Sequence, residues 1–330
     1  MYCYENKNLK FDTVKIWSRI EYFKGSIVSF TPNIEPNGKC TGMYYSSKKD
    51  KSVPYNLFVG INYNSQSLTL EFSSKILLDD YPKLITKDTF RQCLENINEL
   101  GICTIDVDAI INDCYFSDMD ITNDIDYILT DKVLSSLNLC VNNYRRYKMK
   151  PYGKTGITFN KDVKKESDIS LTIYNKEIEL ELSKNKKFLS LTNNPDAIKE
   201  YFRGKVRFEM TLDNPNKICD FLNIENTHIN NVFNSKVNPL LTQFNLIFGN
   251  GEIMDKSYIK NCETYEMMKN LQSCKGDLKV IEQELKDYNI YSSRSGITDK
   301  MKKYKQLHTE MYSNTHNSTN ILAKIREKLS

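Results

Sequence analysis

Three short stretches of the chain carry side chains able to act on a phosphodiester: Ser117-Asp118-Met119-Asp120-Ile121-Thr122, Ile173-Tyr174-Asn175-Lys176 and Lys205-Val206-Arg207-Phe208-Glu209-Met210. Together they supply acids, a tyrosine and cations, the groups needed to cut one strand of DNA and hold its end. Transesterification needs a nucleophile placed in line, positive charge on the phosphoryl oxygens and acids to hold the ion that provides it. Tyr174 is the candidate nucleophile. Its ordinary pKa is ~10, so a metal or a cation such as Lys176 has to favour the phenolate. Asp120 and Glu209, with Glu71 or Asp118, offer the all-oxygen donor set that Mg²⁺ or Mn²⁺ takes. Arg207, two residues from Glu209 on one strand face, suits either a phosphate clamp or the orienting of a carboxylate.

Strand parity is what groups these residues, because side chains along a strand alternate between faces. From Tyr115 to Thr122, Met119 and Ile121 oppose Asp118, Asp120 and Thr122. From Asp168 to Tyr174, the apolar Ile169, Leu171 and Ile173 oppose Ser170, Thr172 and Tyr174. From Lys205 to Leu212, Val206, Phe208, Met210 and Leu212 oppose Arg207, Glu209 and Thr211. Ser67 to Ser73 puts Leu68, Leu70 and Phe72 inward and Thr69, Glu71 and Ser73 outward. If the four strands share a sheet, their acids and the tyrosine converge on the face away from the core. A half-solvated sheet carries polar residues on that face in any case, so alternation alone does not decide for chemistry.

The 330 residues, 40% of them hydrophobic, suffice for one large domain or two ordinary ones with a real core. No apolar run approaches the ~18 residues of a membrane span. The start Met1-Tyr2-Cys3-Tyr4-Glu5 lacks the charged and apolar regions of a signal peptide, so the chain reads as cytosolic. Nine cysteines without a Cys-x-x-Cys pair indicate neither a zinc ribbon nor a disulfide framework. His228, His308 and His316 are the only histidines, too far apart for a metal-ligand motif or a histidine-paired nickase signature.

The net charge of +4 is unevenly spread. Gly101 to Asp131 holds eight Asp and no Lys or Arg, whereas Val141 to Met210 holds sixteen Lys plus Arg against nine acids, a net +7. An acidic block followed by a basic one fits a metal-binding acid cluster beside a phosphate-binding surface. Arg145, Arg146, Lys148 and Lys150, with Lys161, Lys164 and Lys165, are the candidate phosphate contacts.

The order of elements predicts an α+β fold, an antiparallel sheet backed by helices. Strands are expected at Phe11 to Trp17, Leu57 to Tyr63 and Ser67 to Phe72, with Asn64-Ser65-Gln66 as a hairpin turn. A helix is expected from Lys87 to Leu100, capped by Thr86, striped by Phe90, Cys93, Leu94, Ile97 and Leu100, and stopped by Gly101. Strands near Cys103 to Asp108 and Tyr115 to Thr122 precede a helix from about Asp131 to Val141. Further strands follow near Gly156 to Asn160 and Asp168 to Tyr174. Asn194-Pro195 opens a helix that Gly204 ends, and Asn214-Pro215 opens another. Two strand-strand-helix passes suggest duplicated lobes. The reading places a catalytic domain at 1–225 and a helical region at 226–330, for DNA binding or oligomerisation. In that region Lys256 to Asn289, broken near Lys275-Gly276-Asp277, and Asn320 to Leu329 are the clearest helices, and Ser295-Gly296 can open a basic helix of helix-turn-helix type.

At its chemical residues the chain resembles the phage and plasmid replication initiators of the filamentous-phage gene II type and, more distantly, staphylococcal-type rolling-circle plasmid initiators. The resemblance runs from about Leu68 to Asn223. Leu70-Glu71-Phe72-Ser73 is similar to that family's Glu-containing strand and Asp120-Ile121-Thr122 to its Asp-x-Thr strand. Tyr174-Asn175-Lys176 with Ile178-Glu179-Leu180 resembles its Tyr-x-Lys-x-aliphatic-Glu-Leu run, and Val206-Arg207-Phe208-Glu209 its Arg-Phe-Glu strand. Asp118 stands where the gene II protein has a basic residue. The resemblance implies a divalent-metal nickase that opens its own origin, joins the 5′ phosphate through tyrosine and leaves a free 3′ hydroxyl for the polymerase. It further implies DNA, a host helicase and a host polymerase as partners in the bacterial cytoplasm, with no membrane partner and a homodimer left open. Two other readings stay open: a non-enzymatic DNA-binding initiator that recruits the host replisome, and a plasmid-mobilisation relaxase.

Overall fold

Large apolar residues recur along one side of the central strands, and these rows define the core face of a ten-stranded antiparallel sheet. The computed structural model describes residues 9–131, 133, 134, 137, 141, 147–153, 155–161, 169–248, 259–274, 278–291 and 293–330. The strands are β1 (Phe11–Arg19), β2 (Phe23–Ser26), β3 (Thr31–Ile34), β4 (Cys40–Ser46), β5 (Leu57–Asn62) and β6 (Ser67–Ser73). They continue with β7 (Cys103–Ile105), β8 (Tyr115–Asp126), β9 (Tyr147–Tyr152), β10 (Gly156–Lys161), β11 (Leu171–Asn175) and β12 (Lys205–Leu212). The large sheet runs β3-β4-β5-β6-β1-β8-β12-β11-β10-β9, and β2 pairs with β7 apart from it.

The expected duplication appears in this order. From the central antiparallel pair β1 and β8, each half runs outward as its first, fifth, fourth, third and second strand. In each half the last strand returns beside the first and a helix follows it, Phe90–Glu99 after β6 and Pro215–Leu222 after β12. Val14, Ile16, Leu70, Phe72, Phe116, Met119, Phe208 and Met210 are buried on the core face. Phe90 and Phe233 stack there against Phe72, Phe116 and Phe11.

The chain divides into two compact units, Met1–Leu129 with Lys148–Gln243 and Leu329–Ser330, and Thr130–Tyr147 with Phe244–Lys328. The first therefore extends beyond residue 225, because Ile229 and Val232 are buried and Phe233 belongs to the aromatic core. In the second, Met267, Met268, Leu271, Ile281, Leu285, Met301, Tyr304 and Leu307 form one cluster across the helices Cys262–Ser273, Leu278–Asp287 and Arg294–Leu329. The basic helix expected from Ile297 is part of the last of these, and Lys300 and Lys303 both pair with Glu263 at 2.9 Å. The interruption at 275–277 lies outside the described residues, as does most of the helix expected from Asp131 to Val141.

Several boundaries differ for local reasons. The strand expected to Asp108 ends at Ile105 because the Asp106 side chain accepts from Ala109 N and starts the helix Val107–Asp113. The helix expected from Lys87 starts at Phe90, since Thr86 and Thr89 bond each other and Thr89 Oγ1 donates to Leu84 O. Asn194 and Asn214 cap the helices Pro195–Phe202 and Pro215–Leu222, and Gly204 takes φ 66° at the turn into β12. The seven described cysteines are free. Among the described residues no helix is long and apolar enough to cross a membrane.

Candidate active site

Because β6, β1, β8, β12 and β11 are neighbours in one sheet, register fixes how their polar side chains line up. One row across the strands reads Tyr174, Arg207, Asp124; the next Thr172, Glu209, Thr122; the next Thr211, Asp120, Thr13, Ser73; and the last Asp118, Lys15, Glu71. Rows on one face lie ~7 Å apart along the strands, and strands ~4.8 Å apart. Tyr174, Glu209 and Asp120 thus step diagonally over three adjacent strands, a spacing that long side chains bridge. Tyr174 Oη donates to Glu209 Oε2 at 3.1 Å, and Thr211 Oγ1 donates to Asp120 Oδ1 at 2.6 Å. Glu71 and Asp118 stand off this diagonal, on either side of Lys15. Glu71 accepts from Asn56 Nδ2 at 2.8 Å and lies 4.0 Å from Lys15 Nζ.

This face is not open to solvent at the tyrosine end, contrary to the half-solvated face the alternation suggested. Tyr81, from the 3-10 segment Ser74–Lys83, and Phe202, from Pro195–Phe202, cover it, each within 6 Å of the Arg207 guanidinium. Tyr174 is 3% exposed, Lys176 2% and Arg207 0%. Buried charges persist only when paired, and here they are. Arg207 closes its fork on Asp124, with Nε to Oδ1 at 2.7 Å and Nη2 to Oδ2 at 2.8 Å, and its Nη1 donates to Asp12 Oδ1 at 2.9 Å. Nη1 also donates to Tyr81 Oη at 3.3 Å. The Arg207 donors are thus engaged within the protein, and of the two roles expected for it the geometry favours orienting over clamping a phosphate. Lys176 donates to Glu179 Oε2 at 2.6 Å with its ammonium 5.6 Å from the Tyr174 ring centre. Glu179 also pairs with Lys184 at 2.8 Å.

Asp12 reaches this face through a bulge. Phe11 pairs with Ile121 and Thr13 with Asp120, so β1 spends two steps where β8 spends one, and the extra residue is re-aimed. Plain alternation puts Asp12 with the core residues Val14 and Ile16, and nothing in the sequence marks the bulge. Asp124 was findable, since it continues the 118, 120, 122 series in a strand that runs four residues beyond the expected end.

The electrostatics of the diagonal are those of carboxylates short of positive charge. Burial, then Asp12 and Asp120, push Glu209 up to about 7 against the opposing pull of Arg207 and Lys176. Burial pushes Asp120 up to about 6, with Asp12 and Asp118 adding to it. Asp118 is raised by burial and Glu71. Burial would raise Asp12 too, but Arg207 and Lys176 hold it below the usual carboxylate range. Burial and the Glu209 carboxylate lift Tyr174 well above an ordinary phenol, so it stays protonated at neutral pH. Burial and Arg207 oppose the Lys176 charge, but Tyr81, Asp12 and Glu179 more than offset them.

Among the described residues no group of three or more His, Cys, Asp or Glu side chains is gathered as a metal cage. The Asp120 and Glu209 pair nevertheless fits a hard divalent ion. Mg²⁺ is commonly held by one or two carboxylates, with water and phosphate oxygens filling the rest, and a cation would relieve the repulsion that raises both acids. Of the candidate DNA contacts, Arg145, Arg146, Lys164 and Lys165 lie outside the described residues. Lys148 and Lys161 fall in β9 and β10 and Lys150 is exposed on β9. Comparison of the sequence with protein-family models and with curated proteins found no match.

Proposed function

We propose that the sheet unit is a DNA nickase that starts rolling-circle replication, with Tyr174 as its nucleophile. The observation that carries this reading is the 3.1 Å contact of Tyr174 Oη with Glu209, beside Asp120 and Lys176. Glu209 Oε2 is the acceptor already in contact with the phenol proton, placed to take it as the Tyr174 oxygen attacks. The Tyr174 oxygen attacks phosphorus, the bond from phosphorus to the 3′ oxygen breaks, and that oxygen leaves and takes up a proton. The products are a 5′-phosphotyrosyl link and a free 3′ hydroxyl. Lys176, over the ring of Tyr174, favours the developing phenolate, and Arg207 positions Asp12 and Asp124 beneath the site. Asp120 and Glu209 are the residues that would hold Mg²⁺ or Mn²⁺, which supplies positive charge for the phosphoryl oxygens when bound. Tyr152 packs beside the nucleophile, its ring centre 4.9 Å from that of Tyr174. In this reading the protein works in the bacterial cytoplasm with the host helicase and polymerase.

One observation favours a second reading. Tyr174 is 3% exposed and Arg207 fully committed, as in a structural network inside a non-enzymatic DNA-binding initiator. The two part on one assay, incubation of a 3′-labelled random-sequence single-stranded oligonucleotide pool with the protein and Mn²⁺. The nickase reading expects label that stays on the protein after denaturation and disappears in Asp120→Asn and Tyr174→Phe. Binding of the pool with no cleavage at any metal concentration supports the non-enzymatic reading instead.

A further inference from the structure

A cavity of about 540 Å³ opens between the turn after β4, the approach to β5, the start of the 3-10 segment after β6 and the helix Ser183–Leu189. Five lysines line it, Lys48, Lys51, Lys75, Lys184 and Lys187, and none of its lining residues is acidic. Lys184 alone of the five has a carboxylate ion-pair partner among the described residues, Glu179 at 2.8 Å. Lys51 and Lys187 donate to the backbone carbonyls of Lys48 and Lys51. Lys75 donates to the amide oxygen of Asn185 at 2.7 Å, and Asn185 is completely buried.

A solvated lysine-rich surface spreads its charges apart, because ammonium groups repel and each is well hydrated in the open. Here Lys75 is partly withdrawn from water and the other four, all exposed, line the same cavity. Burial, then Lys176, pushes Lys75 down to about 8; Lys184 adds to this, while Asp12 and Glu179 pull the other way. The side chains facing its ammonium from the neighbouring elements thus leave a deficit of negative charge. Val53, Pro54 and Tyr55 supply an apolar wall. Cations around a concave space, with an apolar wall on one side, suit a ligand with a charged end and a flat or apolar end.

We propose that this cavity binds phosphate groups, with Lys75 as the inner anchor and Lys48, Lys51, Lys184 and Lys187 as the outer clamp. Its volume exceeds what one phosphate fills and has room for a nucleotide. That nucleotide can be a free nucleoside triphosphate or a unit of a DNA strand, since both present the same phosphate chemistry. The cavity also touches the catalytic network. Asn56 lines it and bonds Glu71, and Asn185 bonds Glu179, which holds Lys176 over Tyr174. The proposal rests on the cavity and not on Tyr174 acting as a nucleophile.

Titration calorimetry on the full chain with three probes, pyrophosphate, ATP and a single-stranded (dT)10, tests it without any cleavage step. The wild type is expected to bind at least one of them. The exposed triple variant Lys48→Ala, Lys184→Ala, Lys187→Ala should weaken that binding tenfold or more and flatten its salt dependence. Preference for ATP points to a free nucleotide, and preference for (dT)10 to a strand. Lys75→Met, checked by thermal melting for a retained fold, should abolish proton uptake on binding at pH 8, where a group with a pKa of about 8 is half protonated. Wild-type affinity in the triple variant, or no binding of any probe by the wild type, overturns the proposal. Tyr174→Phe should leave the binding unchanged, which separates failure of this site from failure of the nickase reading.

Discussion

Replacing Glu209 with Gln is expected to stabilise the folded chain at alkaline pH. In the fold, burial reinforced by Asp12 and Asp120 moves this carboxyl from 4.5 to about 7. An acid whose folded pKa is raised binds more protons folded than unfolded. Its ionisation therefore costs nothing below 4.5, lowers stability as the pH climbs from 4.5 to about 7, and costs a constant amount above that. Each pKa unit corresponds to about 1.4 kcal/mol, so the full shift corresponds to about 3 kcal/mol. Glu209 keeps some contact with solvent, which screens the charge, and a gain of about 2 kcal/mol at pH 8 is the working figure. Gln preserves the shape, and its carbonyl can still accept from Tyr174. Thermal unfolding at pH 8 should put Glu209→Gln roughly 4–8 °C above the wild type, and the gap should shrink to below about 1 kcal/mol at pH 5. Asp120, raised from 3.8 to about 6, contributes a slope of the same sign, whereas Asp12, held low, loses its contribution only in stronger acid. Millimolar Mg²⁺ at pH 8 should raise the melting temperature of the wild type but not of the variant. A variant less stable than the wild type at pH 8 would mean instead that the Glu209 charge is already well compensated in the fold.

Other perturbations follow from the same geometry. Arg207→Met removes the cation that bonds both Asp124 and Asp12 and should cost about 3–5 kcal/mol in urea unfolding; a loss below about 1 kcal/mol would show the pairs to be dispensable. Gly156→Ala sets a Cβ 2.4 Å from Tyr174 Cβ and 2.6 Å from Ile173 O, so amide exchange in β10 and β11 should rise sharply while β1 and β8 stay protected. Deleting 294–330 removes Met301, Tyr304 and Leu307 from the helical cluster, and circular dichroism should show loss of the remaining helices Cys262–Ser273 and Leu278–Asp287 as well. Neutralising Lys150 together with Arg145, Arg146, Lys148, Lys161, Lys164 and Lys165 should reduce the log-log salt slope of DNA binding by roughly 0.7–0.9 for each phosphate no longer neutralised.

The parity of four strands was legible because their apolar residues alternate over the segments that carry Glu71, Asp120, Tyr174 and Glu209, and that was enough to put these four on one face. The order of strands was not legible, and it separates Glu71 from Glu209 by two intervening strands while placing Tyr174 next to Glu209. Asp12 was hidden by a bulge, a feature of pairing between strands distant in sequence. Pro32 in β3 and the lysines and Pro151 in β9 masked the two edge strands, as residues that suit edges do. The covering of the polar face by Tyr81 and Phe202 is tertiary packing, which local periodicity does not encode. The caps at Asn194 and Asn214, by contrast, were readable from Asn-Pro alone because the chemistry is local.

The most direct test of the central claim is a search for the covalent intermediate. The protein is incubated with Mn²⁺ and a 3′-labelled random-sequence single-stranded oligonucleotide pool, denatured in detergent, and digested for peptide mass mapping. A nickase built around Tyr174 leaves the label on protein through a phosphotyrosyl bond in the peptide that contains Tyr174, and Tyr174→Phe leaves none while still binding the pool. Label on any other residue, or label undiminished in Tyr174→Phe, contradicts the assignment.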